Sequence, residues 1–232
     1  LEDINLSVAA GEIAAILGPS GCGKSTLLKH MIGLLDPGRG EIRLQGERIS
    51  HTDEETKSAL MSRFGVLYQS TALFASMTLL ENVMLPLREH FQMARELAAS
   101  MARDRLRTVG LEGFEHYLPG RISGGMKKRA GLARAMILDP PLLFLDEPSA
   151  GLDPISSAEL DELIVSIRED NGTTMVLVTH ELESIYAIAD RVLVLKNRRL
   201  IASGPPAEVA AQSRDQWTRD FFTRKGTREI PG

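Results

Sequence analysis

Two kinds of apolar patterning share this chain. Ile13-Ala-Ala-Ile-Leu17, Leu142–Leu145 and Met175–Thr179 are short unbroken apolar runs, the form of strands buried on both faces. Gly65-Val-Leu-Tyr-Gln69 reads as another short strand, closed by a polar residue. Elsewhere the spacing is helical: Leu27, Leu28, Met31, Ile32 and Leu35 recur on one face behind a glycine-rich loop. Ile4, Leu6 and Val8 alternate with Asn5 and Ser7, which predicts a half-buried strand. Glu41 to Ile49 alternates again around Gln45-Gly46, so a small antiparallel layer is expected beside the main sheet. Val192–Leu195 and Leu200–Ser203, joined by Lys196-Asn-Arg-Arg199, form a closing hairpin.

From Ser70 to about Gly120 the pattern is helical throughout. Thr78-Leu-Leu-Glu81 has the form of a capping box. Leu80, Val83, Met84 and Leu87 then share one helical face, and Pro86 is expected to end or kink that helix. Ala94 to Val109 is a charged helix closed by Gly110. A further helix runs from Ser123 to Leu138, before Asp139-Pro140-Pro141, and another lies around Ser157–Arg168. His51 to Lys57 reads as a loop or a helix start. Alternating short strands and helices imply an α/β domain with a largely parallel central sheet. Residues 1–232 read as a single domain, with a helical subdomain at about 70–140 and a C-terminal tail at about 205–232.

The first chemistry sits between the Ile13–Leu17 strand and the helix after it. Gly18-Pro-Ser-Gly-Cys-Gly-Lys-Ser25 matches G-x-x-x-x-G-K-[ST] in full, in the strand–loop–helix setting that gives the pattern meaning. Glycines let successive backbone N–H groups turn inward around a polyphosphate, and the helix start adds positive partial charge. Gly18, Pro19, Ser20, Gly21, Cys22, Gly23, Lys24, Ser25 and Thr26 are therefore candidate nucleotide-binding residues. Lys24 would reach the β- and γ-phosphates, and the Ser25 hydroxyl would coordinate Mg²⁺.

Composition narrows the picture only a little. With 43% apolar and 25% charged residues in 232, the chain is that of an ordinary globular domain. A net charge of −4 supplies no general attraction to nucleic acid, so no nucleic-acid partner is expected. The one cysteine, Cys22, excludes an internal disulfide. No apolar run approaches the ~18 residues of a membrane span.

Leu142-Leu-Phe-Leu-Asp-Glu-Pro148 delivers two adjacent carboxylates at the C-terminal end of a strand, where ligands of open α/β sheets bind. Asp146 suits a Mg²⁺ shell, and Glu147 suits a general base that activates water. Ser123 before Gly124-Gly125 is a helix N-cap. In strict order along the chain, Gln69, Ser123-Gly-Gly125, Asp146-Glu147, Ser149-Ala-Gly-Leu-Asp153 and His180 together resemble the nucleotide-binding domain of ABC transporters. They fall at its Q-loop, signature, Walker B, D-loop and H-loop, and the 18–25 loop is its Walker A.

The resemblance implies a P-loop NTPase fold with a RecA-like core, and ATP hydrolysis with Mg²⁺. It implies a homodimer, head to tail, burying two ATP molecules between the Walker A loop of one copy and the signature helix of the other. On that basis Gln69 senses Mg²⁺ and the attacking water, and His180 contacts the γ-phosphate. Ser123, Gly124, Gly125 and Met126 face the opposite ATP, and Asp153 couples the two sites. The family's usual signature carries Gln where Met126 stands, which removes one bond of a capping box. The family's adenine-stacking aromatic would lie ahead of Leu1.

Within the family, Ile122 to Ala135, Gln69-Ser-Thr-Ala-Leu-Phe74 and Leu85 to His90 resemble the Mla-type phospholipid-transport ATPases. Such ATPases lie peripherally on the cytoplasmic face of the inner membrane. They partner with a membrane permease, a lipid-binding periplasmic subunit and often a STAS-domain protein. The competing readings are the ATPase of a small-solute importer, a soluble ABC protein of DNA repair or translation, and a nucleotide-binding regulator that does not hydrolyse. Glu147 argues against the last. Leu73, Phe74 and Met77 are read as an exposed apolar group where the family's permease docks, the alternative being that Phe74 fills the core of the helical subdomain.

Overall fold

The computed structural model describes residues 1–91 and 93–224, so residues 225–232 of the expected tail lie outside the described residues. Its strands are β1 (Ile13–Leu17), β2 (Arg43–Leu44), β3 (Glu47–Arg48), β4 (Phe64–Leu67), β5 (Leu142–Asp146), β6 (Thr174–Val178), β7 (Arg191–Lys196) and β8 (Arg199–Gly204). Its helices are α1 (Lys24–Met31), α2 (Glu54–Met61), α3 (Leu79–Phe91), α4 (Arg95–Thr108), α5 (Gly124–Met136), α6 (Pro154–Asn171), α7 (Leu182–Ile188), α8 (Pro206–Gln212) and α9 (Gln216–Thr223).

The central sheet has six strands in the order β4-β5-β6-β1-β7-β8. Its pairings are parallel until β7 meets β8, which is antiparallel, as the expected hairpin requires. Alternation along each strand feeds two cores. Ile13, Ala15 and Leu17 join Leu143, Leu145, Met175 and Leu177 beneath α6 and α7, while Ala14 and Ile16 join Phe144, Val176 and Val178 beneath α1. Every residue of β1 is fully buried, which is why that run carries no polar side chain.

A separate core lies among α3, α4 and α5: Leu79, Val83, Leu87, Ala98, Ala102, Leu106, Ala130, Ala133 and Ile137. Helix α5 serves both cores, because Leu132 and Met136 turn to the sheet while Ala130, Ala133 and Ile137 turn to α3 and α4. The capping box forms as expected: Thr78 N–H donates to Glu81 Oε2 (2.8 Å), and Glu81 N–H donates to Thr78 Oγ1 (3.2 Å).

Several local expectations are corrected. Ile4–Val8 shows the alternating burial of a strand but lies in none, because no neighbouring strand gives it a ladder. The antiparallel layer expected from Glu41–Ile49 does form, as the β2–β3 pair turned by Gln45 and Gly46 at φ 51° and 83°. Helix α1 stops at Met31, with Gly33 at φ 74°, so Leu35 is 42% exposed rather than on the packed face. Of the two outcomes expected at Pro86, the helix end does not occur, since α3 continues to Phe91. A mid-helix proline costs about 3 kcal/mol, and here it stands between Met84 and Leu87, both buried in the helical core. Burial of such side chains, at about 1.5–3 kcal/mol each, offsets it.

Candidate functional site

The register of the sheet brings the candidate residues to one edge. Ile16 of β1 and Asp146 of β5 both lie opposite Val178 of β6, and Leu67 of β4 lies opposite Leu145. The chain therefore leaves these four parallel strands at the same C-terminal edge. There β1 opens into the Gly18 loop, β4 into Gln69, β5 into Glu147 and β6 into His180. Side chains separated by more than a hundred residues of sequence meet because parallel strands end together.

The loop is shaped for close backbone approach. Gly18 has φ 151°, and a Cβ there would lie 2.1 Å from the Leu195 carbonyl oxygen, so no other residue fits. Gly21 and Gly23 follow at φ 76° and 110°. Ser20, Gly21, Ser25 and Thr26 are exposed around the start of α1, where the first N–H groups of the helix lack helical partners. Lys24 lies back over the loop, its ammonium donating to the Gly18 (2.7 Å) and Pro19 (3.2 Å) carbonyls. Cys22 points the other way: its thiol is buried under the loop, among Leu27, Leu28 and Ile32.

The carboxylates occupy a drier place. Burial pushes the Asp146 carboxyl up, the neighbouring Glu147 adds to this, and Lys128 and Lys24 oppose it. Glu147 is 9% exposed and takes a left-handed backbone, φ 49°, held by its N–H donating to the Val178 carbonyl at 2.8 Å. His180 Nδ1 lies 2.9 Å from Glu147 Oε1, and the carboxylate accepts this bond. His180 Nδ1 is equally 2.9 Å from Glu147 Oε2, so the ring faces both carboxylate oxygens, whereas Ser149 Oγ is buried without a hydrogen-bond partner among the described residues. Orphaned polar atoms of this kind mark where a polar group is received.

The donor set suits a nucleotide with a divalent cation. Backbone N–H groups, Lys24 and the α1 terminus match a polyphosphate. Among the described residues, no group of three or more His, Cys, Asp or Glu is arranged to hold a metal unaided. Mg²⁺ binds through one or two protein oxygens plus phosphates and water, which Ser25, Asp146 and Gln69 could provide.

The rest of the expected set stands apart. Ser123 caps α5, accepting from Met126 N–H at 3.2 Å, and no described hydrogen bond joins Ser123–Met126 to the 18–26 loop. The Met126 side chain packs against the helical core, which gives an apolar residue a place where Gln is usual. Asp153 caps α6, accepting from the N–H groups of Ile155 and Ser156 at 3.1 Å each. The starts of α5 and α6 lie against each other: a Cβ on Gly124 would meet Leu152 at 3.7 Å, and one on Gly125 would meet Ser156 at 3.8 Å.

Residues 1–150 match the family model described as ABC transporter. The chain belongs to the ABC transporter family. Among curated relatives, it is 42% identical over 221 residues to the probable ribonucleotide transport ATP-binding protein mkl of Mycobacterium leprae, covering 95% of this chain and 63% of that protein. It thus spans less than two thirds of that relative's length. It is 39% identical over 221 residues to the intermembrane phospholipid transport system ATP-binding protein MlaF of Escherichia coli K12, covering 95% of this chain and 82% of MlaF. Among solved structures, it resembles a dimeric, post-hydrolysis ATP-binding cassette bound to ADP and Pi, with TM-score 0.81 and 30% identity over 88% of this chain and 90% of that one. The P-loop fold and the mostly parallel sheet are therefore those of an ABC ATPase cassette.

Sequence reasoning passed over three side chains that shape this site. Lys128 is buried and donates to the backbone carbonyls of Gln69 and Glu147. Arg134 donates to those of Thr71 and Ala72. Asn82, fully buried, holds the Phe74 backbone. Within Lys127-Lys128-Arg129, only the fold shows that Lys128 turns inward.

Proposed function

We propose that this chain is the ATP-binding and ATP-hydrolysing subunit of an ABC transporter that energises phospholipid transport between membranes. The observation that carries the hydrolytic part is the meeting of the Gly18–Thr26 loop, Asp146, Gln69 and the His180–Glu147 pair at one sheet edge. The 18–26 loop and Lys24 would hold the phosphates, and Ser25, Asp146 and Gln69 would hold Mg²⁺. Bound Mg²⁺ supplies charge neutralisation on the transferring phosphoryl group. Glu147 accepts a proton from water, with its carboxylate oriented by His180 Nδ1. Because no described hydrogen bond joins Ser123–Met126 to the loop of its own chain, two copies packed head to tail would give each nucleotide a signature helix. The dimeric cassette among the solved relatives supports that arrangement.

The phospholipid assignment draws on the relatives named for intermembrane phospholipid transport. The mycobacterial relatives, named for ribonucleotide transport, favour a second reading in which the cargo is a polar solute. Among the described residues no helix is long and apolar enough to cross a membrane. On this reading the relatives of intermembrane phospholipid transport systems support a membrane permease as the pathway, with a lipid-binding periplasmic subunit and a STAS-domain protein as further partners and this chain peripheral on the cytoplasmic face. Purifying the native complex, identifying its membrane subunit and extracting bound lipid tests the assignment. Co-purified phospholipid with ATPase activity supports it; a complex that carries no lipid and whose ATPase responds to ribonucleotide or another solute overturns it. Lys24→Ala, which should weaken ATP binding, is the control.

A further inference from the structure

Lys128 is 5% exposed, yet no carboxylate hydrogen-bonds its ammonium among the described residues. Its Nζ donates instead to two peptide carbonyls at 2.8 Å each, those of Gln69 and Glu147. Burial pulls the Lys128 ammonium below the ordinary lysine range, and the nearby charges of Glu147 and Asp146 only partly oppose this. Bonds from a charged donor are about twice as strong as neutral ones, and both here converge on one atom. The backbones of Gln69 and Glu147 are thus tied to each other through α5.

The same face of α5 grips the chain just beyond Gln69. Arg134 donates to the carbonyls of Thr71 (2.8 Å) and Ala72 (2.7 Å). Between the two cations, Gly131 allows the close approach, since a Cβ there would lie 2.7 Å from Leu67 Cδ1. Lys128, Gly131 and Arg134 recur at helical spacing, so they form one ridge. The segment they hold is not relaxed: Thr71, Ala72 and Glu147 have φ of 61°, 49° and 49°. Side chains rarely adopt such conformations unless their surroundings enforce them.

We propose that Lys128 is a positioning residue for hydrolysis, which fixes Gln69 and Glu147 relative to each other and to α5. Helix α5 begins at Ser123–Met126, so a displacement of that helix by the opposite nucleotide moves the Gln69 and Glu147 backbones with it. This rests on the roles given to Gln69 and Glu147 above.

The test compares Lys128→Met, which keeps an apolar stem and removes the donors, with Lys128→Arg in the native complex. In Lys128→Met, kcat should fall about 10–100-fold, the scale of a small misplacement of catalytic groups. KM for ATP should stay within about twofold, because no phosphate contact is lost. Lys128→Arg should recover most of kcat. Amide exchange at Thr71 and Ala150, whose N–H groups bond to Tyr68 and Glu147 at 2.7 and 3.2 Å, should quicken in Lys128→Met while exchange in β1 does not. Unchanged exchange at both amides overturns the tie, whatever happens to turnover. Quickened exchange with unchanged kcat overturns the catalytic role. If Lys128→Met fails to fold, Lys128→Gln takes its place with the same criteria. A wild-type complex without ATPase activity would instead count against the hydrolytic reading, and exchange would still decide whether Lys128 ties the two segments.

Discussion

His180 Nδ1 lies 2.9 Å from Glu147 Oε1, although the two residues leave different strands of the sheet. A carboxylate only accepts, so Nδ1 carries the proton and the exposed remainder of the ring faces outward. The pair joins a buried base to a ring that can touch a nucleotide. Glu147→Gln keeps the shape and removes the base. Turnover should fall about 10²–10⁴-fold, with ATP binding and dimerisation retained. Phosphate release from the assembled complex measures the first, and equilibrium nucleotide binding with size-exclusion chromatography in ATP measures the second. Full hydrolysis by the variant would show that Glu147 is not the base.

Cys22 offers a probe of the loop from below. Its Sγ lies 2.6 Å from where a Gly18 Cβ would stand, so a bulky adduct cannot fit without moving the loop. A large maleimide should react slowly, because the residue is 5% exposed, and each labelled chain should lose ATPase activity. Bound ATP should slow labelling further by holding the loop closed over the thiol. Mass spectrometry gives the labelled fraction. Full activity at complete labelling would contradict this placement.

The start of α3 carries a pH-dependent element. Glu81 accepts from both N–H and Oγ1 of Thr78 at 2.8 Å, and the backbone hydrogen bond holds its carboxyl below the ordinary 4.5. A group whose folded-state pKa is depressed stabilises the fold above its unfolded value, and that stability is lost as pH falls through the lower, folded value. Thr78→Ala should cost about 1 kcal/mol near neutral pH. The difference in urea midpoint between the wild type and Glu81→Ala should shrink on going from pH 7 to below the folded pKa. A constant difference would mean that the charge on Glu81 does not matter.

What could be read from the sequence is what rests on neighbours along the chain. The Gly18–Ser25 loop, the Thr78–Glu81 box and the Ser123 cap each close within a turn or two, so residue type and spacing suffice. The inward turn of Lys128 depends on carbonyls 59 and 19 residues away, and no local pattern marks it. Ile4–Val8 shows the converse: its alternation correctly anticipates burial, but a strand also needs a partner, which alternation does not supply. Pro86 likewise marks a local cost without deciding where the helix stops, since packing against α4 and α5 outweighs that cost.

Asn82 is the hidden support of the loop that follows Gln69. It is fully buried; its Oδ1 accepts from Phe74 N–H (2.7 Å), and its Nδ2 faces the carbonyls of Phe74, Met77 and Thr78 at 3.0–3.1 Å. Asn82→Ala strands these groups and should destabilise the chain by about 1–3 kcal/mol, read as a lower urea midpoint. An unchanged midpoint would show that water replaces the amide.

The same clamp leaves Phe74 itself facing outward. Phe74 is 50% exposed, whereas Leu73 packs against the helical core and Met77 is half-buried, so the expected apolar group reduces to one exposed ring. A large aromatic held outward on a braced backbone is suited to anchoring a partner helix, and Gln69 lies a few residues before it. We therefore expect the permease to dock here. Phe74→Glu should fold with stability within about 0.5 kcal/mol of wild type, as exposed substitutions do. It should bind ATP normally and be lost from the permease complex, because a carboxylate would be buried unpaired at the interface. The measurement is the ratio of this chain to its membrane subunit after affinity purification, beside the melting curve of the isolated chain. Unfolding would place the ring in the core instead. A folded variant that co-purifies at the wild-type ratio would remove Phe74 from the docking surface and leave the link between Gln69 and the membrane to some other contact.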